Sequence, residues 1–125
     1  MRGKDLTTEF YIEDARGPHR VQRETFPLAI GGSWADIELP GYFAPEAVGY
    51  LGLSDEELFV QPGQADARII CNGALVTTSQ WLRNGDVLTF AKARIVVEMT
   101  GEHVRFRVEE KQEEDKTDPP RVVPT

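Results

Sequence analysis

The chain has 125 residues, a net charge of −7 and one cysteine. That length favours one domain able to bury a core without staples. The charge argues against a nucleic-acid backbone or anionic lipid as partner, because both need a clustered basic face. A lone Cys71 makes no intrachain disulfide and fits a reducing compartment. Between Ile70 and Asn72 it reads as a small buried apolar residue on a strand. No apolar run approaches the roughly 20 residues that cross a bilayer as a helix. The opening Met1–Asp5 leads into polar residues without a signal-peptide core. The expectation is a cytoplasmic protein, or one on the cytoplasmic face of a membrane protein.

In chain order the sequence predicts short strands separated by turn residues. Glu9–Ile12 alternates and then meets Asp14 and Gly17-Pro18. Val21–Ile30 is a second strand region, interrupted by Pro27 and stopped at Gly31-Gly32. Ala35–Leu39 alternates and ends at Pro40-Gly41. Phe43–Val48 is the one stretch where a short helical turn fits. Val48–Leu53 and Glu57–Val60 form a pair split by Ser54-Asp55. Arg68–Cys71 and Ala74–Val76 flank Asn72-Gly73, and Gln80–Arg83 and Asp86–Phe90 flank Asn84-Gly85. Asn-Gly tolerates positive φ at both central positions and so suits a tight hairpin. Arg94–Met99 turns at Thr100-Gly101 into His103–Val108, whose alternation predicts a half-buried antiparallel strand. The sum is about ten short strands, the signature of an all-β sandwich or barrel, over residues 1–108.

Residues 109–125 separate from it. They hold six acids and three bases, a net of −3, and end in Pro119-Pro120 and Val122-Val123-Pro124. Such a stretch buries too little apolar surface to offset chain entropy and reads as a disordered linker or tail. A linker implies something beyond it, so the expectation is the N-terminal part of a longer protein, tethered through later residues to a membrane or to other domains.

Three stretches together resemble the forkhead-associated (FHA) family. They are Leu28-Ala29-Ile30-Gly31-Gly32-Ser33 followed by Asp36-Ile37-Glu38-Leu39, then Ile69–Gly73, then Leu82–Phe90. The resemblance covers Phe26–Val108 and implies an FHA-like antiparallel β-sandwich of about ten to eleven short strands, in a family that usually binds phosphothreonine peptides. It also implies where the phosphate contacts belong: an arginine, a serine, a histidine and an asparagine. Those positions fall on Gly32, Pro45, Val48 and Ala67. A phosphate needs charge-assisted donors held by the scaffold, and these four side chains offer none. In what it lacks, the chain is similar to divergent FHA-like modules on the cytoplasmic side of membrane-anchored secretion machinery.

The expected function is a non-catalytic protein-interaction or scaffolding module with a degenerate phosphopeptide site. Trp34, Tyr42 and Phe43 are its candidate partner contacts, because loops at sandwich ends carry recognition. Packing under the loop is the equal alternative for these aromatics, and Trp81 is expected in the core. Gly31 is expected to let the chain turn. Asp86 is expected to bond within its own turn. Two other functions compete: a phosphopeptide reader using relocated Arg20, Arg23, Arg68 and Arg83, and a small-ligand binder or enzyme. The carboxylate runs Asp55-Glu56-Glu57 and Glu109-Glu110 read as solvated charge, and no His/Cys cluster has metal-ligand spacing. No metal or cofactor is expected, and the partner is expected to be a protein without direct membrane contact.

Overall fold

Short alternating strands have one apolar face each, and the chain buries those faces by stacking two sheets. The structure is a computed structural model and describes residues 8–64, 66–90 and 92–110. Among them are twelve strands: β1 (Glu9–Asp14), β2 (Gly17–Val21), β3 (Leu28–Gly31), β4 (Ile37–Glu38), β5 (Gly49–Ser54) and β6 (Glu57–Pro62). After these come β7 (Ile70–Cys71), β8 (Ala74–Leu75), β9 (Gln80–Trp81), β10 (Val87–Thr89), β11 (Ala93–Thr100) and β12 (His103–Glu110). One sheet runs β2-β1-β12-β11-β10-β7-β8 and the other β4-β3-β5-β6-β9.

The inward rows form a single core. Phe10, Ile12, Leu88, Ile95, Val97 and Phe106 from the first sheet meet Leu28, Ile30, Ile37, Leu51, Leu58 and Val60 from the second. Each such burial contributes about 1.5–3 kcal/mol. β12 shows the alternation directly, with Val104 and Phe106 buried and His103 and Arg105 exposed. The sandwich is therefore as expected, but its sheets are mixed. β12 runs antiparallel to β11 and parallel to β1, and β3 runs parallel to β4.

Several local expectations are corrected. The stretch from Val21 to Ile30 is not one strand region. β2 ends at Val21, Arg23–Thr25 make a 3-10 turn, Phe26-Pro27 is a cis peptide, and β3 begins at Leu28. Gly17-Pro18 is inside β2, and the turn precedes it at residues 15–16. No helical residue occurs from Phe43 to Val48. In the stretch from Ala35 to Leu39 only Ile37-Glu38 is strand, although Ala35, Ile37 and Leu39 are all buried as the alternation requires. β12 continues through Glu110, two residues past the expected domain limit, while residues 111–125 of the expected tail lie outside the described residues.

The two Asn-Gly pairs differ. Asn72 (φ 52°) and Gly73 (φ 92°) form the tight hairpin between β7 and β8. At the second pair only Gly85 (φ 89°) is left-handed, and the Asp86 amide donates to the Arg83 carbonyl. That turn carries the chain from β9 in one sheet to β10 in the other. Asp86 bonds within it as expected, accepting the Arg83 amide at 2.7 Å, and also accepts the Asn72 side chain at 2.8 Å.

One carboxylate joins the two sheets. The Asp14 side chain, at the end of β1, has no exposed surface. It accepts the Arg16 amide at 3.0 Å, the Arg16 guanidinium at 2.7 Å and, from β4 in the other sheet, the Glu38 amide at 3.1 Å. Arg16 also donates to the Asp36 carbonyl at 2.8 Å. Burial pushes the Asp14 carboxyl up, but the hydrogen bonds from Arg16 and from the Glu38 amide outweigh it and hold it below the usual range. Asp14→Ala should cost about 1–3 kcal/mol in urea unfolding, since it leaves a part-buried amide and a guanidinium without their acceptor. A depressed native pKa stabilises above the unfolded value, and that contribution is lost as pH falls through the native value. The gap between wild type and Asp14→Ala should therefore be full at neutral pH and narrow below about pH 4.

Candidate interaction site at one end of the sandwich

Beyond Gly31 the loop of residues 32–36, the long loop after β4 and the connection from β6 to β7 come together. Trp34 organises the first of these. A Cβ on Gly31 would stand 2.8 Å from the Trp34 ring, and one on Gly32 would stand 3.0 Å from the Tyr42 carbonyl oxygen and 3.3 Å from Trp34 Nε1. Neither glycine has positive φ. Gly31 is thus glycine for space under the indole, not to let the chain turn, which corrects the expectation. Trp34 Nε1 donates to the Ala44 carbonyl at 3.3 Å, tying the two loops, and the residue stays 51% exposed.

The candidate aromatics divide. Tyr42 packs partly against the core, and its hydroxyl donates to the Glu46 carbonyl at 2.7 Å. Phe43 is 91% exposed. Both line a small groove with Gly32, Ser33 and Trp34. Trp81 is corrected from core to surface. It is 54% exposed on the edge strand β9, where its ring meets Phe59 edge-on at 5.7 Å, and its neighbour Leu82 turns inward instead.

Beside that groove is a larger pocket of about 480 Å³, walled by Leu39, Tyr42, Val48, Ala67, Arg68 and Phe90. Two of the four positions where the resemblance places phosphate contacts, Val48 and Ala67, therefore face one cavity. Gly32 faces the adjoining groove, which shares Leu39 and Tyr42. Pro45 is exposed, one residue beyond the Trp34 acceptor Ala44.

The four arginines do not converge. Arg20 faces Glu9 at 4.0 Å, Arg23 pairs with Glu56 at 2.6 Å, and Arg83 lines a separate pocket with Phe10, Leu58 and Met99. Arg68 alone among them lines the pocket of Val48 and Ala67. Sequence reasoning missed Phe90 and Lys92. Phe90 ends an apolar stretch and carried no signal beyond core. The Lys92 stem reaches Gly41, 3.3 Å from where a Cβ would be, through a contact across 51 positions of sequence.

Elsewhere the chemistry is plain. Asp55 and Glu56 form the turn between β5 and β6, both with positive φ. Among the described residues no group of three His, Cys, Asp or Glu side chains could hold a metal ion. Burial, with the Asp86 charge, pushes the Cys71 thiol up, away from the nucleophilic thiolate.

No protein-family model and no curated protein sequence matches the chain. A comparison of structures finds it similar to the FHA-2 domain from the Mycobacterium tuberculosis ABC transporter Rv1747, an NMR-based structure. The TM-score is 0.51 and the identity 22%, covering 70% of this chain and 75% of that one. The chain has an FHA-like β-sandwich fold.

Gly32→Arg should cost about 1–3 kcal/mol by overpacking and should displace the indole, read as loss of the Trp34 Nε1–H hydrogen-bond shift by NMR. In a Trp34→Ala background its cost should shrink, because the indole contact is already gone. Cys71 should resist a disulfide reagent at pH 8 in the native protein and react fully in denaturant.

Proposed function

We propose that this chain is a non-catalytic protein-interaction module whose partner surface is the aromatic loop end, and that it does not read phosphothreonine. The observation that carries the reading is the Trp34 indole over Gly31-Gly32, together with the Tyr42 carbonyl, in the space where the resemblance puts an arginine. Val48 and Ala67 add no donor, and the net charge of −7 disfavours a dianion in general. In their place stand Trp34, half exposed, and Phe43, almost wholly exposed. An exposed Trp and Phe on sandwich-end loops are the residue types and the place of a protein contact. The protein supplies this surface from the sandwich that ends with β12 at Glu110, and it works in the cytoplasm or against the cytoplasmic face of a membrane protein.

One observation favours a second reading. Arg68 lines the pocket that also holds Val48 and Ala67, so a phosphopeptide could find one cation there. NMR titration with a phosphothreonine peptide library and with its unphosphorylated twins separates the two. We expect no phosphate-dependent binding in the micromolar range, and its appearance would overturn the proposal. Phe43→Ser should leave unfolding within about 0.5 kcal/mol of wild type, as at other exposed positions. The same substitution should reduce recovery of cross-linked partners, measured by mass spectrometry, at least ten-fold.

A further inference from the structure

The pocket beside the aromatic ridge has a chemistry of its own, and it narrows what the partner presents. Its walls are apolar on several sides, with Leu39, Val48, Ala67 and Phe90 around the Tyr42 ring. At about 480 Å³ it has room for a large aliphatic or aromatic side chain. Its rim is not apolar. Arg68 lines it, and Lys92 lies against Gly41, one residue from Tyr42 and two from Phe90.

Charge pairing is uneven across the described surface. Among the described residues, Arg16, Arg20, Arg23, Arg94, Arg105 and Arg107 all have carboxylates within ion-pair distance. Arg68 and Lys92 are exposed with no such partner among the described residues, in a chain where acids outnumber bases 21 to 14. Arg83, in the same condition, belongs to the separate pocket already described. Arg68 at the cavity and Lys92 near it at Gly41, neither with an ion-pair carboxylate among the described residues, complement an apolar side chain flanked by carboxylates and repel the same side chain flanked by lysines. Asp66, also at the pocket, limits the attraction but does not pair with Arg68.

We infer that the pocket of Tyr42, Val48, Ala67 and Phe90 receives an unphosphorylated apolar side chain from an acidic segment of a partner protein, with Arg68 and Lys92 holding the flanking carboxylates. The inference rests on the proposed role of the loop end and specifies its ligand. An apolar side chain gains from the walls what a phosphate would lose by desolvation without donors. The carboxylates meet exposed cations at the rim, where they keep much of their hydration.

The test uses the full chain, labelled for NMR, and three capped peptides: Gly-Ser-Asp-Ile-Asp-Ser-Gly, the same peptide with lysine for both aspartates, and the same peptide with phosphothreonine for isoleucine. The aspartate peptide should shift the amides of Tyr42, Ala67 and Arg68, and the lysine peptide should bind at least five-fold more weakly. Arg68→Glu should remove or reverse that preference. Ala67→Phe, which fills the pocket, should weaken the aspartate peptide at least five-fold while a thermal melt reports its fold. Equal binding of the two isoleucine peptides, no shift with either, or shifts confined to Trp34 and Phe43 would overturn the inference and leave the loop-end role standing. Tighter, Arg68-dependent binding of the phosphothreonine peptide would overturn both. Displacement of the aspartate peptide by a synthetic peptide of residues 111–125, or shifts that grow with protein concentration alone, would overturn the separate partner and assign the pocket to this chain or to a second copy.

Discussion

A strand of two residues cannot hold a loop through ladder hydrogen bonds alone, and β4 is such a strand. It pairs with β3 at Ile30–Ile37 and Gly31–Glu38, and the rest of its restraint comes from side chains. Asp14 accepts the Glu38 amide from across the sandwich, and Asp36 accepts the Ala29 amide at 2.9 Å. A buried carboxylate is costly unless its oxygens are satisfied. Asp14 is satisfied only when the hairpin of β1 and β2 and the second sheet are in their native relation. The clamp is therefore a condition on how the two sheets meet, and it secures the chain leaving the loop that carries Trp34.

That loop shows how a pair of glycines can seat an aromatic ring. With no Cβ at residues 31 and 32, the backbone admits the indole at close range. With the indole there, any side chain at residue 32 would crowd Trp34 Nε1 and the Tyr42 carbonyl. The hydrogen bond from Trp34 to Ala44 then carries the restraint into the loop holding Tyr42 and Phe43. Tyr42 is drawn toward the core and becomes a wall, whereas Phe43, its neighbour, is left in solvent. The result is a ridge and a pocket side by side, built mainly from loop residues at the end of the sandwich, where loops often carry recognition.

Much of this was legible in the residues. The alternation in the last strand, the burial of Cys71 and the turn at Asn72-Gly73 all follow from local rules that tertiary packing did not override. The failures have physical causes. Trp81 and Leu82 are adjacent and both apolar, so periodicity alone cannot say which one faces inward. The pairing of β9 with β6 put Leu82 inside and Trp81 on the outer face with Phe59. The second Asn-Gly pair has the same composition as the first, yet Asn84 uses its side chain to accept the Met99 amide while the chain changes sheets.

The sequence by itself determined the all-β class, because short alternating runs with turn residues between them leave a chain no other way to bury its apolar face. It also determined that the side chains of Gly32, Pro45, Val48 and Ala67 carry no hydrogen-bond donor in any fold. Only the tertiary structure decided what stands there instead. Val48 and Ala67 share a cavity lined also by Arg68, Trp34 covers the glycines, and Lys92 lies against Gly41. Those are relations between loops from different strands, set by sheet order and register, and no local pattern encodes a distance between segments far apart in the chain.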